Sequence, residues 1–307
     1  MYKRTVFLLF VALFTLVPVA NGVTEESARV AVVYPQGSAA YGKVFDEIIE
    51  GISATTPLEV TRIPIADDAT NQAVHAEIAK NNVKGVIALG QTALQPQTSQ
   101  SATPVIYGGT AVMPGVENGI SLMGDPELFF AKLKAFAPKV KRVFTVYNEQ
   151  NSGWLIERSK RAAAKRNLEL RAYAAEDLRD AVLKFKVIFD EARDTTDAIW
   201  LTLDNVIPDK TVLPLALEVS WERRVIVFSN NPLHTKRGAL FSLYPDNRRM
   251  GESLGNMLLR QLKDTGKPEL VPLSDMKMAI NERTAAHLGL TLEGADYQQF
   301  DLVYPSR

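Results

Sequence analysis

The amino-acid sequence predicts an α/β protein made of two similar lobes, each a doubly wound parallel sheet, joined by a hinge. Apolar strand-like runs alternate with helix-like runs from Arg29 onward. One pattern also occurs twice: Arg29–Tyr34 and Arg142–Tyr147 each read as a buried strand that ends in Tyr, followed by a short polar loop and an amphipathic stretch. Open α/β sheets bind ligands at the carboxyl ends of their strands. The repeat therefore predicts two lobes that face each other across a cleft.

The first lobe is predicted from four strand-like and two helix-like runs. Val44, Phe45 and Ile48 follow helical spacing after the first strand, and Asp67 or Asp68 is available to cap the second helix. In chain order, the predicted elements are a strand at Arg29–Tyr34, a helix at Gly42–Ile52, a strand at Leu58–Ile63, a helix at Asp67–Asn81, and strands at Gly85–Leu89 and Pro104–Tyr107.

The stretch Ala111–Gly124 is rich in Gly and Pro, which predicts a loop that carries the chain into the second lobe. The helix that follows has Pro126 in its first turn, where the missing N–H costs nothing. The second lobe then repeats the strand–helix order of the first. Its predicted elements are helices at Pro126–Phe136, Trp154–Asn167, Ala175–Ala192 and Pro208–Arg223, and strands at Arg142–Tyr147, Leu168–Tyr173, Ala198–Leu203 and Val225–Phe228.

The carboxyl-terminal part of the chain departs from the repeat. A weaker third copy of the strand pattern, Leu240–Tyr244, also leads straight into a helix. The predicted elements are strands at Ala239–Leu243 and Met276–Ile280 and helices at Asn247–Lys263 and Thr284–Leu288. We expect the chain to cross back between lobes here. The predicted division is residues 23–120 with 245–273 in one lobe and 121–244 with 274–307 in the other.

Composition restricts the class of protein. The length of 307 residues favours two domains, and 46% hydrophobic with 23% charged residues is typical of a globular protein. Because 35 basic residues balance 35 acidic ones, nothing favours nucleic acid as a partner. The absence of Cys excludes disulfides, thiol catalysis, thiolate metal sites and a lipid-modified Cys.

The first 22 residues have the pattern of a cleaved signal peptide. Lys3 and Arg4 precede the apolar run Thr5–Val17, and Ala20 and Gly22 place small residues where a signal peptidase cleaves. The apolar run is short for a membrane span, so an amino-terminal anchor is the less favoured alternative. The sequence predicts a soluble, monomeric protein that is not lipid-anchored and, in a Gram-negative cell, lies in the periplasm.

One motif resembles a nucleotide-binding loop. The residues from Gly37 to Lys43 match the first seven positions of a P-loop between a strand and a helix. Val44 stands where that motif needs a Ser or Thr for Mg²⁺, and a signal peptide leads to a compartment without useful ATP. We therefore interpret this stretch as a strand-to-helix loop for another solute, without a cofactor.

Catalytic and metal sites are not indicated either. Of the three His residues, His75 and His287 read as surface positions, and only His234 lies in a polar loop that is expected near a cleft. The sequence has no Gly-x-Ser-x-Gly motif and no pair of His or carboxylate residues with metal-ligand spacing. We expect a protein that is not an enzyme.

The loops at the predicted strand ends carry mostly neutral hydrogen-bonding groups. Amides, hydroxyls and one carboxylate suit reversible binding of a small polar solute, and helix amino termini favour an anionic part of it. The alternative interpretation of any one of these residues is an N-cap or a turn former. The candidate ligand-binding residues are Tyr34, Ser38, Gln91, Thr92, Gly109, Thr110, Asn148, Asn151, Asp204, Asn205, Ser229 and Asn231.

The chain as a whole resembles the periplasmic substrate-binding proteins of ABC transporters, of the type I bilobal fold, in the group that includes aromatic amino acid binders. The stretches that carry this resemblance are the first strand and helix through Ile52, Ile87–Leu94, Ala135–Val143, Leu203–Asn205, Arg237–Gly251 and Ala279–Leu290.

The resemblance implies a cleft that closes on an amino acid or similar small polar molecule and a closed form that docks on a membrane permease. By position it implies binding roles for Ser38, Gln91, Thr92, Asn151, Asp204 and Asn205. Amino acid binders of this kind usually have an acidic residue near position 231, where this chain has Asn231. We expect Asp204→Ala to abolish ligand binding and to leave thermal stability nearly intact. A ligand sensor or scaffold of the cell envelope is the alternative function, and an envelope enzyme the third.

Overall fold

A computed structural model of the chain describes residues 27–36, 39–66, 69–90, 103–111, 115–116, 118–207, 209–292 and 296–305. It contains two sheets whose strands are mainly parallel, with helices packed on them. The predicted α/β fold class is confirmed. None of the helices in the described ranges is both long enough and apolar enough to cross a membrane.

The first sheet has six strands in the order β11-β5-β4-β3-β1-β2, and all of its pairings are parallel. Its interior strands are continuous apolar runs, as expected of a parallel sheet covered on both faces. The strands are β1 (Ala28–Pro35), β2 (Leu58–Ile65), β3 (Gly85–Leu89), β4 (Val105–Gly108), β5 (Gly119–Gly124) and β11 (Leu270–Leu273), and the helices between the first three are α1 (Ala39–Ala54) and α2 (Asn71–Lys80).

The second sheet has seven strands in the order β13-β12-β10-β9-β8-β6-β7. Only the pairing of β10 with β12 is antiparallel among those described. The strands are β6 (Arg142–Tyr147), β7 (Glu169–Ala174), β8 (Asp197–Leu201), β9 (Ile226–Ser229), β10 (Phe241–Pro245), β12 (Met276–Asn281) and β13 (Leu302–Tyr304). The remaining helices are α3 (Pro126–Phe136), α4 (Glu149–Ala164), α5 (Leu178–Glu191), α6 (Asp209–Arg223), α7 (Pro232–Arg237), α8 (Asn247–Leu262) and α9 (Glu282–His287). Of these, α8 packs on the first sheet.

Several boundaries differ from the sequence-based expectation. The predicted loop at Ala111–Gly124 contains β5, because the apolar alternation of Gly119–Gly124 pairs with β4 and β11. Helix α2 is capped by the Thr70 side chain, which accepts from the Ala73 N–H; Asp67 and Asp68, the predicted caps, lie outside the described residues. Helix α4 begins at Glu149, five residues before the predicted start at Trp154, since Asn148 caps it. Strands β11 and β13 and helix α7 were not predicted, because each is too short to show a period.

The core of the second sheet is built around stacked aromatic rings. The Trp200 and Phe228 rings are nearly parallel with centroids 6.0 Å apart, and Phe228 stacks in turn on Phe241 at 5.2 Å. Phe129 and Phe130 of α3 pack against Trp200 at 5.2 and 5.5 Å. Such aromatic pairs stabilise the fold by more than the apolar area that they bury, so these rings fix β8 and β9 against α3.

Helix α8 returns the chain to the first sheet, where it packs along α1. The two helices approach closely at Gly51 and Gly251: a Cβ at Gly251 would lie only 3.0 Å from the Gly51 Cα and would collide with the Ile48 carbonyl oxygen. Strand β10, which contains Tyr244, is therefore the last strand before the chain returns to the first sheet, as the sequence suggested. Sheet membership puts Ser121–Gly124 with the first sheet, whereas the division of the chain into hinged lobes stays a prediction.

Candidate ligand-binding site

Asp204 lies just beyond the carboxyl end of β8 and organises the edge of the second sheet. It is 5% exposed. Its Oδ2 accepts a hydrogen bond from the Asn148 backbone N–H at 3.0 Å and another from the Ser152 hydroxyl, and its Oδ1 accepts from the Val206 N–H at 3.1 Å. The α4 amino terminus also favours negative charge at this position. Asp204 therefore joins the start of α4 to the loop after β8.

This geometry corrects one expectation from the sequence. Asp204→Ala cannot leave stability nearly intact, because it would leave the Asn148 and Val206 N–H groups without their acceptor in a buried place. A carboxylate has about four acceptor positions, and three of them are used here. The predicted direct contact of Asp204 with a ligand stays untested.

Asn148 is the N-cap of α4. Its Oδ1 accepts from the backbone N–H groups of Gln150 and Asn151 at 3.1 and 3.3 Å, and its Nδ2 donates to the Ala175 carbonyl at 3.2 Å. The Asn148 side chain therefore uses most of its hydrogen-bonding groups in bonds to the backbone of the protein itself. The N-cap alternative describes Asn148 better than the role of ligand contact.

Asn151 and Asn205 form the polar pair that Asp204 positions. The Asn151 Nδ2 donates to the Asn205 Oδ1 at 2.8 Å, and this bond joins the first turn of α4 to the loop after β8. Asn205 is exposed and Asn151 half-buried. Within the described part of the chain, the Asn151 Oδ1 and the Asn205 Nδ2 have no further partner. One acceptor and one donor are therefore presented side by side at the strand ends.

At the carboxyl end of β6, Tyr147 forms a hydrogen bond with the first residue of α4. The Tyr147 hydroxyl donates to the Glu149 carboxylate at 2.7 Å. Burial, followed by this hydrogen bond and the charge of Glu149, raises the pKa of Tyr147 to about 12. Tyr147 therefore stays a hydrogen-bond donor throughout the neutral range.

The loop after β9 is more buried than the sequence suggested. Ser229 is fully buried, and its hydroxyl lies 2.7 Å from the His234 Nδ1 and accepts from the Asn231 N–H at 3.0 Å. The Asn231 side chain caps α7 by accepting from the Leu233 N–H. Neighbouring Asn230 accepts from the Trp200 indole N–H at 2.9 Å. As it stands, Ser229 does not reach a ligand, and Asn231 has the role of a cap.

His234 connects Ser229 to Asp209, whose Oδ2 lies 2.9 Å from the His234 Nε2. These three residue types match a hydrolytic triad, but here Asp209 contacts Nε2 and Ser229 contacts Nδ1, the reverse of the usual arrangement. A nucleophile must also reach its substrate, and Ser229 has no exposed surface. The arrangement therefore fastens α6 and α7 to the end of β9.

Among the described residues, no group of three or more His, Cys, Asp or Glu side chains is placed to hold a metal ion.

The corresponding edge of the first sheet is described only in part. Tyr34 ends β1 and packs on Phe45, with ring centroids 6.1 Å apart. Gly90 and Gly109, at the ends of β3 and β4, have φ angles of +68° and +71°, which favour glycine. Thr110 is half-buried beyond Gly109, and its carbonyl accepts from the Leu122 N–H. The other candidates on this side, Ser38, Gln91 and Thr92, lie outside the described residues.

The sequence interpretation missed Thr202 among the strand-end groups. Its hydroxyl is buried and has no hydrogen-bond partner in the described ranges, and the residue is 8% exposed. It lies two residues before Asp204 at the end of β8. An isolated Thr in the otherwise apolar run Ile199–Leu203 was the signal that could have identified it.

Comparison with known proteins shows which protein family the chain matches. Residues 107–295 match the family described as ABC transporter substrate binding protein, which is more than half of the chain. None of the curated proteins compared with the chain matches it significantly.

Solved structures of several bacterial proteins have a similar fold, and three of them are described below. A conserved domain protein from Vibrio cholerae O1 biovar El Tor has a TM-score of 0.54 at 20% identity, over 91% of this chain and 100% of that one. A domain from Streptococcus pneumoniae in complex with L-Trp has a TM-score of 0.54 at 19% identity, over 91% and 100%. A ligand-free, open substrate-binding protein with adhesive properties from Clostridium difficile has a TM-score of 0.62 at 15% identity, over 90% and 99%. Identities this low indicate the shared fold alone.

Proposed function

The chain belongs to the family of ABC transporter substrate-binding proteins, and we propose that it captures a small polar solute between two lobes and delivers it to an ABC importer. The observation that carries this proposal is the Asn151–Asn205 pair at the carboxyl ends of the second sheet. It offers a donor and an acceptor at the edge where α/β sheets of this kind bind ligands. Asp204 fixes the relative position of the two side chains, because it joins the start of α4, which carries Asn151, to the loop that carries Asn205.

The solute class that fits best is an amino acid or a similar small polar molecule. An amide donor and acceptor together match a ligand that carries both an acceptor group, such as a carboxylate, and a donor group, such as an ammonium. The Streptococcus pneumoniae domain of the same fold is titled as a complex with L-Trp, which makes amino acids the first class to test. On the opposite side, Tyr34, Gly109 and Thr110, with Ser38, Gln91 and Thr92, complete the proposed cleft.

The proposal includes export through the signal peptide of residues 1–22 and action as a monomer in the periplasm. Binding there is followed by closure of the lobes and docking on the permease. Deleting the gene and measuring uptake of the identified solute by whole cells tests delivery: uptake is expected to fall. Unchanged uptake at solute concentrations near the dissociation constant would contradict a transport role.

We expect Asn151→Ala/Asn205→Ala to weaken binding of the solute about tenfold or more, because two hydrogen bonds of roughly 1 kcal/mol each are lost. The free energy of unfolding should change little, since Asn205 is exposed and Asn151 is only half-buried. Native mass spectrometry of the purified protein, followed by a thermal-shift panel of amino acids, small peptides and nucleosides, identifies the solute. A solute at 100 times its dissociation constant stabilises a protein by about 2.7 kcal/mol, which such a panel detects.

The matched control is Asn256→Ala, which removes an exposed Asn from α8. Its affinity should equal that of the unmodified protein. An unchanged affinity in the Asn151→Ala/Asn205→Ala variant would remove this pair from the site, and a panel in which no solute stabilises the protein would contradict binding altogether.

A further inference from the structure

A cavity lies at the end of the second sheet opposite the candidate ligand-binding site. It has a volume of about 300 Å³ and is formed between α6, α7, α9 and the end of β12. Its lining includes Ser220, Trp221, Lys236, Arg237 and Arg283. None of the described lining residues is acidic, although the chain as a whole has no net charge.

The cavity is remote from the proposed solute site. Ser220 and Trp221 belong to the last turn of α6, which ends at Arg223, shortly before β9 begins at Ile226. Asp204 and Asn205, in contrast, follow the carboxyl end of β8. Since β8 and β9 are parallel, the cavity and the Asn151–Asn205 pair lie at opposite edges of the same sheet.

Three cations converge on the cavity. Lys236 and Arg237 form the last turn of α7 and take part in no ion pair among the described residues. The Arg283 guanidinium lies over the Trp221 ring, 5.7 Å from its centroid, which is the geometry of a cation–π contact. Like charges that line one cavity repel each other, so an anion bound among them relieves a cost that the free protein carries.

Two further features of the lining favour a ligand. Ser220, which carries a hydroxyl group, lines the cavity and is 3% exposed. Trp221 is 48% exposed although its ring stacks on the His287 imidazole with centroids 3.7 Å apart. The His287 Nε2 is also 2.8 Å from the Trp221 carbonyl oxygen, so the indole is held in a fixed orientation. The site therefore combines cations, a hydroxyl group and an aromatic surface held in one orientation.

We propose that this cavity binds the phosphate group of a small organic phosphate, with a flat or apolar part of the ligand against Trp221. A phosphate carries more negative charge than a carboxylate and accepts the paired N–H groups of Arg especially well. Two sources share this chemistry: a soluble phosphate ester and the headgroup of an anionic phospholipid. Ligand binding here is independent of the solute in the proposed cleft.

Titration with phenyl phosphate, followed by tryptophan fluorescence and calorimetry, tests the proposal. Lys236→Ala/Arg237→Ala is expected to weaken binding about tenfold or more. Trp221→Phe should remove the fluorescence response, because the other two tryptophans, Trp154 and Trp200, are not part of the cavity lining. Benzyl alcohol, which has the ring without the phosphate, should bind far more weakly than phenyl phosphate.

The matched control is Arg179→Ala/Lys186→Ala, which removes two exposed cations from α5 and should bind phenyl phosphate normally. Flotation with vesicles of phosphatidylglycerol and phosphatidylcholine, against phosphatidylcholine alone, distinguishes the lipid source: vesicle binding that depends on Lys236 and Arg237 assigns the site to a headgroup. If the unmodified protein binds neither probe, or if both double variants lose binding equally, the proposal is wrong. The Asn151→Ala/Asn205→Ala variant should bind phenyl phosphate normally, so failure of the solute site is distinguishable from failure here.

Discussion

Alanine at Gly251 is expected to lower the free energy of unfolding by about 3 kcal/mol or more, because it overpacks a contact between two helix backbones. The added Cβ would collide with the Ile48 carbonyl oxygen and come within 3.0 Å of the Gly51 Cα. These neighbours are main-chain atoms, so no side-chain rotation relieves the collision. Helices α1 and α8 must instead move apart, which opens the apolar layer that Ile48 and Leu254 fill beneath them. Urea unfolding followed by circular dichroism measures the loss.

The matched control for this prediction is Gly42→Ala in the same pair of helices. A Cβ at Gly42 would have no atom within 4 Å, so the better helix propensity of Ala should leave stability unchanged or raise it by up to about 1 kcal/mol. If Gly251→Ala is as stable as Gly42→Ala, the close approach of α1 and α8 is not what joins α8 to the first sheet.

The sequence predicted the fold through its repetition. Strands such as Gly85–Leu89 and Arg142–Tyr147 are apolar on both faces, as parallel strands buried between helices must be, and their recurrence with amphipathic stretches was readable without a structure. β11 and α7 escaped prediction because short elements take their conformation from tertiary pairing. β11, for example, exists through its register with β5. Such pairings join residues far apart in the chain, and local patterns do not encode them.

The sequence predicted polar residues at the strand ends but not how each of them is used within the fold. Strand-end loops were correctly expected to hold polar residues, and Asn148, Asn151, Asp204 and Asn205 are brought together by hydrogen bonds. Sequence alone could not say which of them face solvent. That depends on α4 beginning at Glu149, which turns the Ser152 hydroxyl toward Asp204 and leaves Asn151 partly exposed. The same ambiguity placed Ser229 among the binding residues, although it is fully buried.

Asp204→Ala is expected to lower the free energy of unfolding by about 3 kcal/mol and to abolish solute binding. The variant leaves two buried backbone donors, the N–H groups of Asn148 and Val206, without an acceptor, and each such group costs roughly 1–3 kcal/mol. The start of α4 and the loop after β8 are then no longer joined, so Asn151 and Asn205 lose their relative position. Thermal and urea unfolding measure the first effect, and calorimetry with the identified solute measures the second.

Two further variants separate positioning from contact at this site. Ser152→Ala removes only the hydroxyl bond to Asp204 and should cost about 1 kcal/mol of stability, with a modest loss of affinity. Asp204→Asn keeps one acceptor oxygen and should lie between Ser152→Ala and Asp204→Ala in stability. Affinity that falls in step with stability across the three variants is the signature of a positioning residue. In contrast, Asn151→Ala/Asn205→Ala should lose affinity at constant stability if, as proposed, these two side chains contact the solute directly. If Asp204→Asn bound no solute while its stability equalled that of the unmodified protein, Asp204 would be a ligand contact and the role assigned to it here would be wrong.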